Sequence, residues 1–271
     1  MVPESKPYAF TMSPDPQDIL ESLQTGDSLR VRSSLERLRQ DHRLLAAVQR
    51  LAQDRDLELE SLHHLLLDIH GASLVAHFLA TNDLESGMWI LACLESPLHD
   101  LESRGRERLD NFARRLADCA DAGELGRRLG EDYGFAGDQR HYHHPHNSFL
   151  NRCLERRLGL PITLVGLWLL LSRRLGLEAW ALTLPGHVFA AWPGGYLDCF
   201  SGGRAVSRED LDLVARRSGA ENADAYLRPA SDEQLLQRMA LNLAVGYRQR
   251  GDPQRALLAT SMAGKRLAPP E

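Results

Sequence analysis

At 271 residues the chain is long enough for one large domain or two smaller ones, and 43% apolar residues are enough for a packed core. A net charge of −5 argues against a general nucleic-acid binder, which would carry a basic face, and 25% charged residues is ordinary for a globular protein. No basic segment followed by an apolar one opens the chain, the longest uncharged apolar run (Leu158–Leu171) is too short to span a bilayer, and Cys93, Cys119, Cys153 and Cys199 form no CxxC pair, so the expectation is a cytoplasmic protein with free thiols and no membrane partner.

Residues 1–15 hold three prolines and little periodicity and read as a flexible arm. From 16 to 130 the pattern is helical. Leu35, Leu38, Leu44, Leu45, Val48 and Leu51 keep helical spacing; Leu62, Leu65, Leu66, Leu67 and Ile69 form a second apolar face, and Met88, Ile90, Leu91 and Leu94 a third. Asn82 or Asp83 suits the cap of that third helix, because a short polar side chain satisfies free N–H groups at a helix start. His63, His64 and His70 read as ordinary helix residues.

The stretch 132–147 is a glycine- and proline-punctuated loop carrying His141, His143, His144 and His146. Asn147 or Ser148 then starts a helix over 149–157, ended by Gly159. A second helix begins at Pro161, since proline suits the first turn, where its missing N–H has no partner to lose, and stops at Gly176. Its apolar residues surround it, so it is buried. Short β runs follow at 179–184, 187–192 and 196–200, the last two joined by the turn Pro193-Gly194-Gly195. Residues 205–230 read as a helix and a linker. In the tail, Ala240, Leu243, Ala244, Tyr247, Gly251, Asp252, Ala256 and Ala263 fit a helical hairpin spaced like one tetratricopeptide repeat. One repeat cannot bury its own face, so it is expected to dock on the preceding domain.

The order buried helix, strand with His187, strand with Asp198 suits nucleophilic catalysis, in which a cysteine at the helix start becomes a thiolate, the histidine moves protons and the aspartate orients it. Asn147-Ser148-Phe149-Leu150, Glu155-Arg156-Arg157, Gly159-Leu160-Pro161-Ile162-Thr163-Leu164, Leu175-Gly176-Leu177, Leu184-Pro185-Gly186-His187 and Asp198-Cys199-Phe200-Ser201-Gly202-Gly203 together resemble the SirB-type branch of the transglutaminase-like superfamily. The resemblance runs from about Tyr133 to Arg204. It implies a papain-like α+β core with His187 and Asp198 at the superfamily's His and Asp positions. It also implies that Pro161 stands where the nucleophilic cysteine of the enzymes would be, since Gly159-Leu160-Pro161 precedes Leu175-Gly176 at the spacing of their Gly-x-Cys and Leu-Gly.

The expected fold is therefore α+β: a helical region at 16–130, a papain/transglutaminase-like core with a small antiparallel sheet at 131–215, a linker at 216–230 and a helical hairpin at 231–271. A two-residue turn at Gly194-Gly195 would set His187 opposite Gly202, too far from Asp198 for a hydrogen bond at ~3.3 Å per residue; a bulge or an early bend at Pro193 closes the gap. The leading functional reading is a non-catalytic interaction or regulatory module with a protein partner and no cofactor. In it His187, Asp198, Asn147, Arg157, Pro161, Pro185 and Gly186 serve structure or ligand binding. One alternative is a cysteine-dependent acyl-transfer or peptidase-type enzyme using Cys153 with His187 and Asp198, which requires a depressed thiol pKa. Another is a metal site at His141, His143, His144 and His146, since neutral imidazole ligates zinc, nickel and copper. Cys199, next to Asp198, is sent by strand alternation to the opposite face. Arg156-Arg157 and Arg173-Arg174 read as solvated helix ends rather than an anion-binding rim.

Overall fold

The computed structural model describes residues 14–264, without 26, 56 and 98–100, so the arm at 1–15 lies almost wholly outside the described residues. The chain divides into two compact units, residues 1–69 and 70–271.

In the first unit, α1 (Pro16–Gln24), α2 (Ser28–Gln40) and α3 (His42–Asp54) each start on an aspartate: Asp15, Asp27 and Asp41 accept backbone N–H groups of the following turn. The periodic run from Leu35 to Leu51 is therefore two helices, broken at Asp41, whose extended backbone and carboxylate serve the second helix better than the interior of one. Leu20, Leu38, Val48 and Leu62 are fully buried here. α4 (Glu60–Ala80) passes from this unit into the next.

The second unit continues with α5 (Leu84–Ala92), capped by Asp83, then α6 (Leu101–Arg115) and α7 (Ala122–Glu131). β1 (Ala136–Gly137) and β2 (Leu158–Gly159) form a short parallel pair, with α8 (Leu150–Arg156) between them. α9 (Pro161–Leu175) is buried from Pro161 to Ser172, starts on proline and stops at Gly176 in the left-handed conformation. β3 (Trp180–Leu184), β4 (His187–Trp192), β5 (Gly195–Asp198) and β6 (Arg204–Val206) make an antiparallel meander. The segment read as helix and linker thus also contributes its first residues to the sheet, and α10 (Arg208–Arg217) follows, begun by a reciprocal Ser207–Asp210 capping box.

Strand alternation gives the sheet two apolar faces. Leu182, Leu184, Phe189 and Ala191 pack with Leu211 and Ala215 of α10. The alternate residues Ala181, Val188, Ala190 and Leu197 are buried too, and Leu197 meets Gly126 of α7, beside Trp168 of α9. The sheet is α+β in the expected sense: a small antiparallel layer held between helices. The C-terminal hairpin, α11 (Asp232–Gln249) and α12 (Pro253–Met262), docks its buried side on α5, α9 and the 145–148 turn. The Leu84 N–H donates to Asp232 at 3.1 Å, and the buried Arg255 donates to the Leu94 carbonyl at 2.6 Å. Arg173 binds Asp232, while Arg174 joins Glu85 of α5 to Asp110 of α6. Arg174 is thus a cross-element tie rather than a solvated helix end, while Arg173 pairs across elements and still faces solvent.

Candidate functional site

The meander sets the register that brings His187 and Asp198 together. Trp192 pairs with Gly195, so the two turn residues are Pro193 and Gly194. Proline fits the turn because it has no ladder N–H to give, and Gly195 extends at φ 147°, a backbone shape that glycine tolerates. The early bend shifts the register by two residues from a Gly194-Gly195 turn. Asp198, opposite Phe189, is then a diagonal neighbour of His187 on one face, within side-chain reach. His187 Nε2 and Asp198 Oδ1 are 2.9 Å apart.

Asp198 is held from three sides. Besides the imidazole, its carboxylate accepts from the Phe200 N–H at 3.0 Å and the Ser201 hydroxyl at 2.7 Å, and its carbonyl accepts from the Gly203 N–H at 3.0 Å. Burial would raise its pKa; the hydrogen bond and charge of His187, with Ser201 and Phe200, outweigh that and hold it below the usual carboxylate range. The loop after Asp198 fits only because glycines meet glycines. A methyl group on Gly203 (φ 73°) would lie 2.1 Å from the Gly126 carbonyl oxygen of α7, and one on Gly130 would lie 1.8 Å from that of Gly202.

Beside the pair an open groove runs between the sheet and α10. Pro185, Gly186, Phe189, Arg204, Leu213 and Arg217 line it with His187 and Asp198. Pro185 and Gly186 shape the turn before His187: Gly186 takes φ 76°, and the Pro185 carbonyl accepts from Ser218. No cysteine lines this groove, nor does Pro161. Pro161 is buried at the first turn of α9, after Leu160, which gives no side-chain cap. Cys153 is fully buried in α8, and burial pushes its thiol up to about 12, against a smaller opposing effect of Arg156. That is the opposite of the depressed pKa its use as a nucleophile requires. Cys199 is also buried, with Leu164 and Leu167 of α9 near it, and burial followed by the Asp198 charge drives its thiol well up.

Asn147 does not begin a helix. It sits fully buried in a 3-10 turn and donates to the carbonyls of His141 (2.7 Å) and Tyr142 (3.3 Å). Arg156 donates to Asn147 at 2.9 Å and to Asp138 at 3.0 Å, and Asp138 accepts from the His141 N–H. Arg156 is therefore a strut of the loop, not a helix end in water. α8 starts at Phe149 without a side-chain cap and ends on Arg157, the one described non-glycine residue at positive φ (60°), rather than at Gly159, whose place is in the β1–β2 pair. The histidine loop has two carboxylates near it, one distant in sequence and one its own: His146 Nε2 lies 2.8 Å from Glu95, and His141 Nδ1 lies 3.7 Å from Asp138. His144 Nδ1 instead accepts from the His146 N–H. Among the described residues, His141, His143, His144 and His146 do not bring three ligand atoms within 4.8 Å of one another.

Glu95 and Asp138 resemble Asp198: burial would raise each, but basic partners and hydrogen bonds prevail and both are depressed. A carboxylate depressed on folding contributes stability that is present above its unfolded pKa and is lost as pH falls through its folded one. The expected result is a thermal midpoint that is flat near neutrality and falls steeply as pH drops below about 4. The Asp198→Asn variant should show a shallower acid slope than the native chain; equal slopes would show that Asp198 carries none of this linkage.

Sequence reasoning missed Arg238. It projects from α11 and donates to the His187 carbonyl at 3.4 Å. No local motif marks it.

Residues 92–241 match the sequence profile of the transglutaminase-like superfamily. A UPF0162 protein of Xylella fastidiosa is 36% identical over 133 residues, 45% of this chain and 47% of that protein, so the match spans about half of that relative's length. A UPF0162 protein of Pseudomonas aeruginosa is 31% identical over 188 residues, 64% of this chain and 67% of the relative. F-box only protein 21 of Mus musculus is 26% identical over 141 residues, 47% of this chain and 22% of that protein. No solved structure matches the chain.

Proposed function

This chain belongs to the transglutaminase-like superfamily, and from that premise we propose that it is a non-catalytic member that uses the His187–Asp198 face to recognise a protein partner. The observation that carries the reading is the groove itself: the histidine–aspartate pair opens onto a cleft with polar and apolar walls and no cysteine. An enzyme of this chemistry needs a thiolate beside the imidazole. Pro161 offers no nucleophile, and the thiols of Cys153 and Cys199 are held protonated by burial. A pair kept intact without its nucleophile serves to shape and polarise a surface.

The SirB-type assignment belongs to this proposal, as do the core at 131–215, the cytoplasmic location and the reading of α11–α12 as a tetratricopeptide-like repeat. None of the comparisons reaches a substrate.

The test is covalent. An electrophilic acyl probe directed at cysteines, applied to the native protein at neutral pH, is expected to leave Cys153 unmodified. Stoichiometric labelling that Cys153→Ala abolishes would overturn the proposal and favour a cysteine-dependent enzyme.

A further inference from the structure

Arginines withdrawn from solvent in this chain are paired. Every described arginine that is buried or half-buried contacts a carboxylate, with one exception. The exception is Arg238, partly buried on α11. Its one hydrogen bond among the described residues is the long, 3.4 Å contact with the His187 carbonyl, which leaves most of its five donors unused. A guanidinium removed from water without a counter-ion is an unfavourable arrangement that a structural role does not call for, because an apolar side chain of similar size would fill the space without it.

Its surroundings suit a ligand. Tyr142, half-buried, feels the charge of Arg238. The Tyr142 ring packs edge-on against Phe200, with centroids 5.8 Å apart, and Phe200 stands edge-on to the His187 imidazole at 6.2 Å. A planar cation, a phenol and an imidazole–carboxylate pair thus gather at the start of β4. Their partial burial strengthens any charge pairing made there.

We propose that Arg238, with Tyr142 beside it, is a binding site for the carboxylate group of a ligand. A single guanidinium matches a carboxylate, which it grips with two parallel N–H donors. A phosphate dianion is matched less well by one guanidinium, and among the described residues Tyr142 is the charge partner of Arg238. The carboxylate comes either from the C-terminus of a peptide or from a small free acid. The inference rests on the reading of the His187–Asp198 region as a recognition surface, and it adds a carboxylate-binding group at the start of β4, beside the residues that line the groove.

The test uses the full chain and three probes at constant ionic strength: sodium acetate, an N-acetylated tri-alanine with a free C-terminus, and the same peptide amidated. Binding is followed by calorimetry and by the amide NMR shifts of residues near Arg238. The free-acid peptide is expected to bind saturably, the amidated peptide at least tenfold more weakly, and Arg238→Gln is expected to remove the difference. Acetate binding as tightly as the free-acid peptide would assign the site to small acids; weaker acetate binding would assign it to peptide termini. No saturable binding of either acid, or unchanged binding by Arg238→Gln, overturns the proposal. A Tyr142→Phe variant, which keeps the ring, should weaken binding and leave the thermal midpoint near that of the native chain. A failure here leaves the acyl-probe result standing, so the two readings fail separately.

Discussion

Alanine at Gly203 is expected to destabilise the second unit by about 3 kcal/mol or more, lowering its thermal midpoint by roughly 6–12 °C. Two effects combine. The backbone there sits at φ 73°, where a side chain is strained by about 1–2 kcal/mol. The new methyl would also stand 2.1 Å from the Gly126 carbonyl oxygen. That neighbour is backbone within α7, so no rotamer change relieves the overlap; the loop must move, and it carries the hydrogen bonds that hold Asp198. Gly219→Ala is the control, at φ 88° with nothing within 4 Å of the added methyl, and should show the conformational strain alone. Gly130→Ala sharpens the test. Alanine is the better helix former, yet its methyl would meet the Gly202 carbonyl at 1.8 Å. A gain of stability in Gly130→Ala would show that α7 does not approach this loop so closely.

Asp198→Ala is expected to cost about 2–4 kcal/mol, because it leaves the His187 imidazole, the Phe200 N–H and the Ser201 hydroxyl without their acceptor. His187→Ala should cost less, since Asp198 keeps its other two donors and the imidazole's space opens onto the groove. Asp198→Asn retains an acceptor oxygen and should fall between the native chain and Asp198→Ala. Urea midpoints at neutral pH give the ranking. If His187→Ala proves the most damaging of the three, the aspartate is not the centre of this network, and the loop from Phe200 to Gly203 holds itself.

Much of the architecture was legible in the sequence, because its signals are local. Pro161 and Gly176 mark the ends of α9, the run of apolar residues between them marks its burial, and Asp83 marks the start of α5. The first three strands of the meander also stand where alternation and turn residues put them, whereas β6 falls in a stretch that reads as helix and linker. What escaped depends on distance along the chain. The role of Arg174 is invisible without Glu85, 89 positions earlier, and Arg152 of α8 likewise donates to Glu95, 57 positions earlier. Asn147 looks like a cap because a cap is the commonest local use of such a side chain; its actual partners are two carbonyls and Arg156. The hairpin register turned on one residue, Pro193 rather than Gly195 in the turn, and that choice decides whether the imidazole reaches the carboxylate. For the site, the family positions of His187 and Asp198 were readable, whereas Arg238 was not, since an unpaired cation is recognised only when the neighbours that fail to pair with it are known.

The docking of the C-terminal hairpin has a consequence for biosynthesis. Leu84 finds its acceptor 148 positions later and Leu94 finds its donor 161 positions later, both within the hairpin. While the ribosome is still making the meander, the face of α5 that this hairpin covers is already out of the tunnel and bare. The unit cannot close until α11 and α12 are delivered, so its maturation waits on the synthesis of the hairpin rather than on that of the helices it covers. A nascent chain paused after Gly203 would leave that face of α5 exposed for as long as the pause lasts, and it is there that a chaperone would have most to hold.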